Sequence, residues 1–134
     1  MASPSPAEAL DRRLAIAAEG LYLANLLVAP GIGFAALLWL YRRHRGAALP
    51  LARQHLRQAL AASLWAGVLL VGLSAAILLL GGIGSMWSWL ALILYFTFFH
   101  STLVLFGMVG LARALAGKTF RYPLIGPREP ESRP

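Results

Sequence analysis

Apolar and polar positions along this chain fall in long blocks rather than at the two-residue period of a half-buried strand. Residues 20–41, GLYLANLLVAPGIGFAALLWLY, carry no charge. A helix needs about 20 apolar residues to cross a hydrocarbon layer ~30 Å thick, so this block predicts a first span, with a break at Pro30-Gly31. A second block runs over roughly 60–80, LAASLWAGVLLVGLSAAILLL, and a third over about 87–111, WSWLALILYFTFFHSTLVLFGMVGL. The intervening GGIGS permits only a tight hairpin. Backbone groups in lipid must bond within their own segment, which makes all three blocks helices.

Two shorter patterns flank the spans. Leu10, Leu14, Ala17 and Leu21 recur at helical spacing and predict a short interfacial helix before the first span. At 100° per residue, Leu49, Ala52, Leu56, Ala59 and Leu60 occupy an arc of about 100°. Arg53 and Arg57 flank that arc, and Gln54, His55 and Gln58 lie opposite. That is the pattern of an amphipathic helix lying on the membrane surface and leading into the second span. The expected fold class is an all-α membrane protein of three transmembrane helices, with amphipathic interfacial helices before the first and second. Residues 1–19 form the polar N-terminal segment, 20–112 the transmembrane domain and 113–134 a basic, Pro-rich cytoplasmic tail.

Composition agrees. Of 134 residues, 59% are hydrophobic and 13% charged, where a soluble domain carries about 25% charge. Mean hydropathy is +0.69. There is no cysteine, which excludes disulfides and thiolate chemistry. The mixed charges of Glu8, Asp11, Arg12, Arg13 and Glu19 do not match a cleaved signal peptide.

Charge decides the expected orientation. Twelve Lys+Arg stand against five Asp+Glu, a formal +7. Because the arginines flank apolar spans, anionic lipid explains them better than nucleic acid. Arg12 and Arg13 precede the first span; Arg42, Arg43, Arg45, Arg53 and Arg57 lie in the first loop; Arg113, Lys118, Arg121, Arg128 and Arg133 lie in the tail. With three crossings in a bacterial inner (cytoplasmic) membrane, the positive-inside rule puts the N-terminus outside and the C-terminus in the cytoplasm. The rival is a re-entrant hairpin at Pro30-Gly31, which would gather all twelve basic residues on one face.

Candidate chemistry is sparse. His100 sits near the middle of the third block, where an ionisable group is costly and often functional. It is the candidate ligand for haem or a chlorophyll-type pigment. The bland alternative is a histidine hydrogen-bonded to a neighbouring helix through Asn25, Ser63 or Ser74. His55, Gln58, Arg42, Arg43, Arg53, Arg57, Arg121 and Tyr122 are expected at the headgroup level or against partner loops. Asn25, Ala29 and Gly33, then Ala59, Ser63 and Gly67, and Gly110 with Ala114 form small-residue stripes that let helices approach closely. No catalytic residue and no metal site is expected, since all five acids lie in the two termini.

Three motifs carry a family resemblance. The first span has Pro30, Gly31 and Gly33 and ends in Trp39, Arg42 and Arg43. His55, Gln58, Ala59 and Leu60 form His-x-x-Gln-Ala-Leu. Ala114, Gly117, Lys118, Arg121, Tyr122 and Pro123 close the set. In these the chain resembles the small bacterial membrane proteins related to the chloroplast import component of about twenty kilodaltons. The resemblance implies a compact helical membrane fold and no enzymatic activity. The function expected is that of a non-enzymatic accessory, assembly or structural subunit of a larger inner-membrane complex. Its partners would be other membrane protein subunits and anionic lipids. The alternatives are a small oligomeric transporter or channel, and a pigment- or haem-binding subunit through His100.

Overall fold

The computed structural model describes residues 2–128, so Glu129, Glu131 and Arg133 lie outside it. The described residues form four helices and no strand. These are α1 (Pro6–Leu27), α2 (Ile32–His44), α3 (Pro50–Gly81) and α4 (Met86–Leu115).

Helix α1 begins at a capping box. The Ser5 hydroxyl accepts the Glu8 amide at 3.2 Å, and the Glu8 carboxylate accepts the Ser5 amide at 2.7 Å. Pro6 follows at a position that needs no N–H donor. The helix stops at Leu27 because Pro30 cannot continue it and Gly31 takes φ +84°, where a side chain would be strained. The chain then reverses. The Asn25 side-chain oxygen reaches across the turn and accepts the amides of Gly31 (2.9 Å) and Phe34 (3.1 Å), two of the free donors that open α2. Packing requires glycine at 33, since a Cβ there would lie 2.7 Å from the Asn25 backbone nitrogen.

Residues 20–41 therefore do not form the single span expected. They are the adjoining parts of a helical hairpin whose two open ends lie together at one end of the molecule, here called the base. Asp11 in α1 accepts the amides of Leu51 (3.2 Å) and Ala52 (2.6 Å), capping α3 from outside. Arg12 bonds the Leu115 carbonyl at the end of α4. Higher up, Tyr22 donates to the Leu103 carbonyl at 3.0 Å, and the His100 ring meets the Leu26 carbonyl at 3.2 Å. Helix α1 thus runs beside α3 and antiparallel to α4, and turns back beside the middle of α4.

Among the described residues only α3 and α4, at 32 and 30 residues, are long and apolar enough to cross a membrane. They join through the turn at 82–85, where Ser88 packs against Gly81. Helix α3 contains a π-helical stretch, Gly67–Leu73, and Tyr95 donates to its Leu69 carbonyl at 2.6 Å. Beyond that stretch the two helices are alone, with Leu79, Leu80, Trp87 and Leu94 exposed as lipid-facing positions would be.

The core lies at the base, around Leu14, Tyr22, Leu37, Leu56, Ala59 and Tyr122. Two amphipathic readings shift accordingly. The buried side of α1 is Leu14, Ala15, Ala18, Glu19 and Tyr22, so of the expected stripe only Leu14 is fully buried. The start of α3 buries Gln54, His55 and Gln58 as well as Ala52, Leu56 and Ala59. It is enclosed on almost every side instead of lying on a surface.

Gly33→Val should open the α1–α2 hairpin. Overpacking of this kind costs about 1–3 kcal/mol, read as a lower thermal midpoint in detergent. Gly84→Ala, where a Cβ meets nothing within 4 Å, should leave the midpoint unchanged.

Candidate functional site

At the base, helix spacing and chain reversal bring five polar side chains to one place. Gln54 and His55 precede Gln58 by four and three residues, which brings all three to one side of α3. That face receives residues 118–127, a strap that folds back from the end of α4. The Gln54 amide bonds both backbone groups of Phe120. The Gln58 oxygen accepts the Tyr122 amide at 3.2 Å, while its NH2 donates to the Pro127 carbonyl at 2.8 Å. The His55 Nε2 lies 2.9 Å from the Lys118 carbonyl. Gly126 is required where the strap turns, because a Cβ would collide with the Gln58 side-chain oxygen.

Beneath the strap lies Glu19, with no solvent exposure. One carboxylate oxygen is 2.6 Å from His55 Nδ1, and the other accepts the Tyr122 hydroxyl. Gly110 of α4 supplies the space: a Cβ there would lie 2.6 Å from Glu19 Oε2. Tyr122 is seated edge-on against Tyr22 and Phe120, at centroid separations of 5.4 and 5.2 Å.

The hydrogen bonds fix the proton inventory. A carbonyl can only accept, so His55 Nε2 carries a proton. The 2.6 Å contact between Nδ1 and Glu19 then needs one further proton, on either atom. Glu19 and His55 together are therefore net neutral, which is how a carboxyl group tolerates full burial. Burial first, and then the charge of Glu19, push the Tyr122 hydroxyl above its ordinary pKa. It stays protonated and donates to Glu19.

His55, Gln58 and Tyr122, expected at headgroup level, are thus buried and turned inward. Arg42, Arg43, Arg53 and Arg121 are exposed at the base, and Arg57 is half-buried. Ala59, Ser63, Gly33 and Gly110 are buried at helix contacts. Asn25 and half-buried Ala29 belong to the hairpin turn, while Gly67 is exposed beside a cavity. His100 is half-buried, stacked on Phe96 at 5.4 Å and 14°, and bonded to the Leu26 carbonyl rather than to a side chain. No group of three metal-ligating side chains converges among the described residues.

The residues that sequence reasoning passed over are Glu19, Asp11 and Tyr22. A signal existed. Asp11, Ala15, Glu19 and, three further on, Tyr22 follow one helical stripe, and a carboxylate on an apolar stripe is a group that needs a partner.

A family model described as the magnetosome magnetite crystal formation protein family (MamF/MmsF) matches residues 11–128, from the Asp11 cap to the end of the strap. No curated protein and no solved structure matches the chain. The family match overturns the expected likeness to relatives of the chloroplast import component. Two of the three motifs that suggested it, around His55 and around Tyr122, are the two sides of the strap contact. They are short, and they report how this chain packs on itself.

Removing His55 strands a buried carboxyl group, so His55→Ala should cost about 3–5 kcal/mol. Tyr122→Phe, which deletes one hydrogen bond to that group, should cost about 1–3 kcal/mol. Glu19→Gln keeps an acceptor for Tyr122 and should be milder than Glu19→Leu. Detergent denaturation ranks all four. The raised Tyr122 pKa makes a sign prediction. The folded state holds the phenol proton more tightly than the unfolded state, so stability is intact below the ordinary value of 10.0 and falls as pH rises above it. Tyr122→Phe should remove that alkaline loss.

Proposed function

Because the chain belongs to the magnetosome magnetite crystal formation protein family, we propose that it is a non-enzymatic accessory subunit of the magnetosome membrane. It serves crystal formation by organising its neighbours rather than by chemistry of its own. One observation carries this reading. The groups at the base that could do chemistry, Glu19, His55 and Tyr122, direct their hydrogen bonds to one another and to the chain's own backbone. What remains for partners is outward-facing apolar helix surface and a basic end.

The basic end also supports an orientation. From Gln58 to Ala112 the sequence has no charged residue. Arg12 bonds the end of α4, and Asp11 caps the start of α3. The N-terminal segment, the first loop and the strap therefore share one face with all eleven described Lys and Arg. In this proposal α3 and α4 cross the membrane and α1–α2 is re-entrant. Both ends are then cytoplasmic, as the positive-inside rule favours. Anionic lipid headgroups meet the arginines at about 1 kcal/mol per charge near the surface. Other membrane subunits, or further copies of the chain, pack on α3 and α4. An oligomeric channel is less well supported, since Asn25 and His100 are tied to backbone groups within the chain.

The chain lacks cysteine, so single labels report topology cleanly. Ser3→Cys and Arg121→Cys should react with a membrane-impermeant maleimide from the same side, and Ser85→Cys from the other. Labelling of Ser3→Cys and Arg121→Cys from opposite sides would defeat the re-entrant arrangement. Deleting the chain from a magnetite-forming cell should change crystal size or number; unchanged crystals would defeat the accessory role.

A further inference from the structure

The turn between α1 and α2 leaves backbone groups unpaired at a depth where lipid cannot pair them. Residues 28–31 are non-helical. The turn bonds several of its own groups. The amides of Val28 and Ala29 reach the Ala24 carbonyl, Gly33 reaches Ala29, and Ala35 reaches Gly31. Asn25 accepts the amides of Gly31 and Phe34, and His100 meets the Leu26 carbonyl. Among the described residues nothing donates to the carbonyls of Leu27, Val28 or Pro30, and the Ile32 amide has no acceptor.

Two observations set the depth. Leu27 lies 14 residues beyond Arg13, about 21 Å of helix. Its neighbour Leu26 meets His100, midway along α4. In the membrane placement proposed above, the turn is therefore well inside a hydrocarbon layer ~30 Å thick. Val28 is 81% and Ile32 73% exposed, and Pro30 and Gly31 are exposed between them. Irregular backbone at such depth is tolerated under protein or beside water, and not against lipid. The apolar side chains of Leu27, Val28 and Ile32 around it argue against water.

We infer that a second copy of this chain covers the turn, across a two-fold axis along the membrane normal. Such an axis sets both turns at one depth and keeps both sets of arginines on one face. The surface is complementary to itself, as a two-fold contact requires. Each copy offers the Ile32 amide as a donor and the free carbonyls as acceptors. A different partner would have to bring an interrupted helix to the same depth, and a second copy does so by construction. The contact continues down α2, where exposed Ile32, Ala35 and Trp39 form one stripe. Small Ala35 at its centre admits close helix approach. The inference rests on the re-entrant placement proposed above, but not on the role in crystal formation.

The test uses the purified full chain in phosphatidylcholine vesicles. On oxidation Ile32→Cys should form a disulfide-linked dimer, and its yield should hold as lipid is added. Leu79→Cys, on α3 and 76% exposed, should stay monomeric. With Ser3→Cys carrying donor or acceptor fluorophores, energy transfer reads the pairing affinity. Ala35→Trp should weaken pairing about tenfold, the loss of two interhelical hydrogen bonds across the axis. Its outward position should leave the thermal midpoint at the parent's value. Equal cross-linking of Ile32→Cys and Leu79→Cys would overturn the inference. So would parental pairing by folded Ala35→Trp, or reaction of Ile32→Cys with a membrane-impermeant maleimide, which would put the turn in water. Labelling of Ser3→Cys and Arg121→Cys from opposite sides defeats the re-entrant reading and this inference together. Same-side labelling without an Ile32→Cys dimer defeats the pairing alone.

Discussion

A carboxyl group with no solvent exposure inside a helical membrane protein is the constraint on which the rest of this structure depends. Glu19 cannot be buried alone, since an unpaired ion in an apolar interior costs far more than the few kcal/mol by which proteins are stable. It therefore needs a histidine from α3, a phenol from the chain's end and a gap in α4. His55, Tyr122 and Gly110 supply them. Satisfying one side chain thus ties α1, α3, α4 and the strap together at one end of the molecule.

The helical hairpin follows from the same geometry. For Glu19 to reach His55, α1 must lie against the start of α3, with its own start at the base. A 22-residue helix starting there is ~33 Å long. The chain must still return to the base to begin α3. Asn25 and Gly33 make that return possible, one by capping α2 across the turn and the other by admitting close backbone approach. The reversal leaves space beside the π-helical stretch, walled by Phe34, Leu70 and Phe96.

A polar base and an apolar far half divide the molecule's tasks. The base is rigid, because its buried polar groups are paired within the chain, and a satisfied network resists rearrangement. The far half has no charged residue and few tertiary neighbours, so its surface is available to lipid and to other helices. The accessory role proposed above would draw on both halves, one as a fixed scaffold and the other as a surface for neighbours.

The order of residues alone was enough to specify a helical membrane protein, the α3–α4 hairpin and the concentration of arginine away from the apolar stretches. Each rests on a local property: length of an apolar run, helical period or charge count. The break at Pro30-Gly31 was equally visible. Its direction was not, because a kinked span and a re-entrant hairpin have the same hydropathy. Likewise, His55, Gln58 and Tyr122 look like headgroup-level residues when each is judged by polarity. What turned His55 and Tyr122 inward is Glu19, 36 and 103 residues away, while Gln58 turns to the backbone of Tyr122 and Pro127. That pairing is a long-range electrostatic requirement. Only the packed chain could decide which partners would meet it.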